Sequence, residues 1–466
     1  MTPVGVVCAR RCARLQCSRF RLAAAVGENA LLLGVIADDF TGAHDVGAAF
    51  AAQGFAVAVL TRRARVADYV RDADILVLDT DSRGEEPASA YARAVAAAEA
   101  LCAVRPRMHI YKKICSAFRG NVGAELDAVL DIVGVSSTVV VPAFPQIGRV
   151  TAGGVHHVRG VPLHETPFAA EVRALAGDSF LPGILQRQMR RTVGHLAGEA
   201  VRAGAEQARR ALDALWVRHE VVVADAASES DLGIIARASE GLGVVAGSGG
   251  LARAIAAGLP DRRLAAHRRR QLPRVPRGPT LVVSGSLTAV AAEQMAMLLA
   301  QGVHGFALTE TVIFRETGAA AATEALVTSA SACLKREGVA LFYLPSGVER
   351  LCALRQRAAA MGWTEARLKR EVFAVLGRLA ARIATEGGAG SLILAGGGTA
   401  AAVCEHLGIV ATRLVRELDI GTALAVACGE RPLGLVVKPG DFGTVDFHLR
   451  ALQALRAEAE REEAST

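Results

Sequence analysis

The chain has 466 residues and a mass of 48.5 kDa, with 52% hydrophobic residues, a net charge of +7 and a pI near 9.1. That length exceeds one compact core and predicts two or three globular units, while no apolar run reaches the roughly 18 to 20 residues that span a bilayer, so no membrane partner is expected. Nor does the positive charge predict a nucleic-acid partner: aromatic residues make up only 4%, the basic residues are scattered, and only five of the 53 are lysines (112, 113, 335, 369 and 438), a bias that GC-rich coding explains.

Residues 1–29 are rich in arginine and carry Cys8, Cys12 and Cys17 at a spacing unlike a metal site. An over-extended start site is the preferred reading, against a disordered arm or a transit segment. The remaining cysteines form no CxxC pair and the total of nine is odd, which predicts a reducing cytoplasm.

The first predicted strand opens at about Ala30. In LLLGVIADDFTGAHDVG (31–47) a continuous apolar run reads as a buried parallel strand, followed by a helix from about Gly42 to Gln53. Asp38 and Asp39 stand at the carboxyl end of that strand, where open α/β sheets bind ligands. Two carboxylates there can accept hydrogen bonds from sugar hydroxyls, hold a cation or take a proton. The alternative is that Asp39 or Thr41 caps the helix, although one cap needs only one aspartate.

Further buried strands are predicted at 56–60, 75–80, 109–113 and 138–143, with helices over 87–102 and 122–133. A hairpin turn is expected at Arg159-Gly160, then strands at 221–225 and from 243 into a Gly-rich turn. HRRRQLPRVPRGP (267–279) is the predicted linker. After it come LVVSGSLTAVAAEQ (281–294), strands near 339–344, 391–395, 423–427 and 433–437, and a helical tail from about Ala454. The prediction is an α/β chain of two domains, 30–266 and 280–453, each with a mainly parallel sheet flanked by helices.

The second half holds three Gly-rich turns after strands: SGS (284–286), AGGGTA (395–400) and KPGDFG (438–443). Such turns let backbone N–H groups approach phosphate, and three together favour a nucleotide, although each alone is explained by tight geometry. Neither a P-loop nor a Rossmann fingerprint is present. The first half adds Asp79 and Asp81 at a strand end and KKICSAFRGN (112–121). There Lys113, Arg119 and Asn121 can hold a carboxylate or phosphate, or form a solvated basic edge. His164-Glu165 lacks the HExxH spacing, and the metal ligands stay unassigned.

Taken in order, IADDFTGAHDVG, YKKICSAFRGNVGAELDAVLD, VVPAFPQIGRVTAGGVHHVRGVPLHETPFA, AGSGGLARA, VVSGS, LILAGGGTAAAV and LGLVVKPGDFG resemble the four-carbon acid sugar kinases over about residues 31–450. The resemblance implies an N-terminal acid-sugar-binding domain, a C-terminal nucleotide-binding domain and an active site in the cleft between them. It implies ATP and Mg²⁺ as cofactors and transfer to the terminal hydroxyl of threonate, erythronate or a 3-oxo-tetronate. By motif, Asp38 and Asp39 are the catalytic residues, and Lys113, Arg119 and Asn121 bind the sugar acid. Ser284, Gly396, Gly397, Gly398, Thr399 and Gly440 bind ATP. A homo-oligomer is compatible with this reading.

The chain departs from the family pattern in both halves. Where KK[IV]DSTLRGN is usual it has Cys115, Ala117 and Phe118; GG[DE]TS becomes GGGTA with Gly398 and Ala400; and Pro439 removes an N–H from KSGNFG. Two outcomes follow: a working kinase with an altered substrate, or a degenerate paralogue that binds sugar acid or nucleotide without catalysis.

Overall fold

The computed structural model describes residues 33–259 and 273–460. The readings for residues 1–29 and for the start of the 267–279 linker fall outside those residues. The first half contributes β1 (Leu33–Ala37), β2 (Val57–Thr61), β3 (Ile75–Asp79), β4 (Ile110–Lys113) and β5 (Thr138–Val141). It continues with β6 (Arg149–Ala152), β7 (Val155–Val158), β8 (Val161–Pro162), β9 (Val193–Leu196), β10 (Val221–Ala224) and β11 (Val244–Gly247). The second half adds β12 (Thr280–Ser284), β13 (Gly305–Ala307), β14 (Val339–Tyr343), β15 (Ser391–Ala395), β16 (Ala411–Asp419), β17 (Thr422–Cys428) and β18 (Gly434–Lys438). The apolar runs of the sequence supply the fully buried strands β1, β3, β12, β15 and β18. The expected hairpin turn joins β7 to β8, with Arg159 and Gly160 both in the left-handed region that a tight two-residue turn requires.

The two halves do not carry separate sheets. All but β6, β7 and β8 join one 15-stranded sheet in the order β13-β14-β12-β15-β18-β17-β16-β2-β3-β1-β4-β11-β5-β10-β9. The seam is the antiparallel pair β2–β16, registering Leu60 with Ala411, Val59 with Thr412 and Ala58 with Arg413. Antiparallel pairing is confined to β2–β16–β17–β18, and every other pair of this sheet is parallel. The physical reason is edge protection: without the seam, β2 and β16 would each present unpaired backbone groups. The sequence of β16, ATRLVRELD, has no continuous apolar run, so the whole strand escaped the prediction.

One apolar layer lies on a single face of both halves, running from Val35 and Val59 through Leu414 to Leu392 and Val437. The other face is divided, with Ile36, Leu60 and Leu78 packed in the first half and Val282, Ile393 and Val436 in the second. The helix α1 (Phe40–Ala51) packs on β2, β16 and β17 and is buried from Phe40 to Phe50. Its small residues allow that close approach: a Cβ at Gly47 would lie 2.7 Å from the Leu414 side chain across the seam. Among the described residues, no helix is long and apolar enough to cross a membrane.

Candidate active site

The parallel register brings the first-half residues together. Ala37 is level with Asp79 on β3 and with Lys113 on β4, so Asp38 and Asp39 emerge beside both at the carboxyl edge of the sheet. Asp38 is buried and accepts two bonds from Arg83, from Nε at 2.8 Å and Nη2 at 2.9 Å. Burial works to raise the Asp38 pKa, but Arg83, helped by Lys112 and Lys113, overrides it and holds the carboxyl well below the usual range. Asp79, buried next to both aspartates without such a partner among the described residues, is pushed up by burial.

Asp39 does cap α1: its Oδ1 accepts from the Gly42 N–H at 3.0 Å and from Arg83 Nη2 at 2.6 Å. Its Oδ2 accepts from the Thr41 hydroxyl at 2.7 Å and points toward the second half. A Cβ placed on Gly397 would lie 3.2 Å from Asp39 Oδ2 and from Thr41 Oγ1. Capping and a site position are therefore compatible, because the two oxygens face different ways.

The predicted sugar-acid residues take different surroundings. Lys113 Nζ lies 3.6 Å from Asp45 Oδ2, on the α1 side. Arg119 donates from Nε to Cys115 Sγ at 3.2 Å, lies 3.5 Å from Glu171 and stacks over Phe168 with its guanidinium carbon 5.2 Å from the ring centre. Asn121 donates to the carbonyls of Ser82 and Glu85, holding the turn that carries Arg83, while its Oδ1 has no partner among the described residues. Burial pushes the Cys115 thiol up, but Arg119 and Arg83 outweigh it and the net shift is downward, so this departure from the family pattern keeps an anion-prone acceptor beside Arg119. Lys112 is spent internally, 2.7 Å from the buried Glu125. His164 bonds Ser179 at 2.8 Å, away from these groups.

On the nucleotide side, Ser284 on β12 is level with Ala395 on β15, which is level with Lys438 on β18, so all three Gly-rich turns leave the sheet side by side. Gly285 N–H donates to Thr399 Oγ1 at 3.1 Å, and the Ser284 hydroxyl is buried with no partner among the described residues. Gly396 sits at φ +104 and a Cβ there would lie 3.6 Å from the Ser286 Cβ, while one on Gly440 would run into the Ser286 hydroxyl. Thr288 Oγ1 closes this cradle by donating to the Gly440 carbonyl at 2.8 Å. Gly398 is covered by Phe373, whose ring would be 2.7 Å from an added Cβ.

The KPGDFG turn wraps a cation: Lys438 Nζ donates to the carbonyls of Pro439 at 2.8 Å, Gly440 at 3.2 Å and Phe442 at 2.9 Å. Burial pulls the Lys438 pKa down to about 8. The turn then reaches the first half, where Asp441 Oδ2 accepts from Arg149 Nη2 at 3.1 Å. These neighbours run from Asp39 beside Gly397, through Gly396 and Gly440 beside Ser286, to Asp441, which accepts from Arg149, and on over Phe168 to Arg119 and Cys115. Sequence reasoning missed Arg83, Arg149, Ser286 and Lys438. Arg83 follows the Asp79/Asp81 strand end, Ser286 and Lys438 lie inside flagged Gly-rich turns and Arg149 lies inside a motif of the resemblance, so position offered a signal for each; the Arg149 contact with Asp441 is seen only in the tertiary structure.

Comparison with known proteins agrees with this division. Residues 33–255 match the model of a sugar-binding N-terminal domain, and residues 281–448 that of a nucleotide-binding C-terminal domain. The chain is 32% identical over 437 residues to a 3-oxo-tetronate kinase of Burkholderia multivorans, covering 91% of this chain and 97% of the relative. It is 33% identical over 433 residues to a D-threonate kinase of Bordetella bronchiseptica, with 91% and 97% covered. A D-erythronate kinase of Heliobacterium modesticaldum is 34% identical over 270 residues, covering 56% of this chain and 58% of the relative. A solved protein of Salmonella typhimurium superposes with a TM-score of 0.73 at 25% identity, over 90% of this chain and 98% of that one. A Haemophilus influenzae protein gives 0.68 at 24% identity, over 91% and 100%, and so shares the fold. With both domain models in their order and relatives matched almost end to end, the chain belongs to the four-carbon acid sugar kinase family.

Proposed function

We propose that the protein is an ATP-dependent kinase that phosphorylates the terminal hydroxyl of a four-carbon sugar acid of the threonate, erythronate or 3-oxo-tetronate type. The observation that carries this reading is the meeting of Asp39 and Thr41 with Gly397, which sets a carboxylate oxygen of the first half against the Gly-rich helix start of the second. Asp39 is the base of this proposal: among the described residues Oδ2 accepts only the Thr41 hydroxyl, whereas both Asp38 oxygens are held by Arg83. Arg119 and Lys113 supply positive charge for the substrate carboxylate, and Asn121 acts by positioning the Arg83 turn. Ser284, Gly396, Gly397, Gly398, Thr399 and Gly440 take the nucleotide phosphates.

Mg²⁺ held largely by phosphate oxygens needs only one or two protein carboxylates, and among the described residues there is no cluster of three or more His, Cys, Asp or Glu suited to hold a metal, so the phosphates would supply most of its ligands. When bound it neutralises charge on the phosphate oxygens. A reducing cytoplasm suits the six free cysteines of the described residues.

The test is Mg²⁺-dependent ADP release with D- and L-threonate, erythronate and 3-oxo-tetronates, run beside Asp39→Asn. Turnover with one acid, lost in the variant, is the expected result. Nucleotide binding with silence across the panel would instead favour the degenerate paralogue, and absence of nucleotide binding would end the kinase reading.

A further inference from the structure

Arg149 differs from the other arginines that link the two halves. Arg253 pairs with both oxygens of Glu417, and Arg63 and Arg413 meet Glu405 and Asp72 at the surface. The Arg149 side chain is only 4% exposed and, where Arg253 makes two bonds to its carboxylate, Arg149 makes one, from Nη2 to Asp441 at 3.1 Å; its Nε, like that of Arg253, has no partner among the described residues. Its charge is poorly compensated: burial, with Arg159 and Arg119 nearby, lowers its pKa despite Asp441.

The guanidinium is also held in place. Gly148, at φ +71, turns the chain into β6, and the Arg149 backbone exchanges two bonds with Phe144, at 3.0 and 2.7 Å. Its guanidinium carbon lies 5.1 Å from the centre of the Phe168 ring, the ring that Arg119 also stacks on. On its far side stands the KPGDFG turn, closed around Lys438, whose Gly440 borders Ser286. Arg149 thus reaches from the sugar-acid residues to the phosphate cradle with one half of its donor fork free.

We propose that Arg149 binds the phosphoryl group in flight, through Nε and Nη2 together, and that Asp441 holds Nη2 until that group displaces it. A planar guanidinium matches two phosphoryl oxygens, and such a contact acts on charge at the transferring group. In the step, the bond from the terminal phosphorus to the bridging oxygen breaks and its electron pair leaves with ADP. A lone pair of the acceptor hydroxyl forms the new P–O bond, and that hydroxyl's proton passes to Asp39. Arg119, over the same Phe168 ring, stays with the substrate carboxylate.

This inference rests on the kinase reading, and its test separates the two. Arg149→Lys and Arg149→Ala are compared with wild type for kcat, for KM of the acid and of ATP, and for melting temperature. The expected result is a fall of about a hundredfold or more in kcat, with both KM values within about threefold, an unchanged melting temperature for Arg149→Lys, and partial rescue of Arg149→Ala by added guanidinium. A raised KM for the acid at normal kcat would overturn the proposal and make Arg149 a carboxylate ligand; unchanged kinetics, or a loss that guanidinium does not restore in a folded variant, would overturn it as well. If wild type binds nucleotide but no acid in the panel turns over, the same variants are read by binding of ADP with and without aluminium fluoride. Arg149 in the proposed role is required for the tightening that fluoride complex brings, not for ADP alone, and equal tightening in the variants would refute it.

Discussion

Asp38 and Asp39 are neighbours in the chain with opposite environments, and that difference predicts different phenotypes. Asp38 sits in a two-bonded, buried pair with Arg83, so Asp38→Asn leaves a guanidinium undercompensated and is expected to cost about 3 kcal/mol of stability. Asp39→Asn keeps a good helix cap, so its stability is expected within about 1 kcal/mol of wild type while turnover falls about 10² to 10⁴-fold. Urea unfolding and ADP release on the two variants check this; the reverse pattern would move the base to Asp38. Both aspartates were evident from the strand-then-turn pattern alone, but their division of labour was not, since Arg83 lies 45 residues from Asp38 and only the β1–β3 register brings it there.

The elements at the seam and at the Gly-rich turns carry two further predictions. His44 on α1 bonds the Phe40 carbonyl at 2.8 Å and, across the seam, Thr412 Oγ1 on β16 at 2.9 Å. Burial pulls its pKa down from 6.5 to about 4, so the unfolded chain takes up the proton first. The stability that the neutral ring confers is therefore complete above about pH 6.5 and is lost as pH falls toward 4, by at most about 3 kcal/mol. Nearby buried acids such as Asp45 are shifted up and titrate with the opposite sign, so the measurable is the difference between wild type and His44→Asn in melts across that range. A constant difference would mean that His44 does not titrate as described. At Gly398 the missing family carboxylate has a packing explanation: the Phe373 ring occupies the space. Gly398→Asp is expected to destabilise by about 1 to 3 kcal/mol, and Phe373→Ala in the same chain to relieve at least half of that in denaturant titrations.

For the whole molecule, the continuous sheet and the apolar layer common to both halves predict a single unfolding transition for the intact chain. Cutting the chain between residues 259 and 273 by expressing two pieces is expected to give halves that co-purify when made together and self-associate when made apart, because β2 and β16 become open edges. Size-exclusion chromatography distinguishes this from two independent, monomeric domains. The same seam explains how residues from opposite ends of the chain come to lie side by side. α1 leaves β1 with Asp39 at its start and lies against the helix Gly397–His406, so the sheet that unites the halves also presses the two half-sites together.

The sequence by itself determined the parallel α/β class, the strands with unbroken apolar runs, the Gly-rich turns, and the carboxyl-edge location of Asp38, Asp39, Lys113 and Ser284, because burial on both faces and tight turns leave local patterns. Only the tertiary structure decided that one sheet runs through both halves, since β16 alternates too weakly to be recognised and its pairing with β2 spans some 350 residues. It alone decided that Arg83 belongs to Asp38, that Gly397 faces Asp39 and that Arg149 reaches Asp441. Local sequence encodes which side of an element is buried; which charged group meets which is set by the register of elements distant in the chain, and in this protein the chemistry is assembled there.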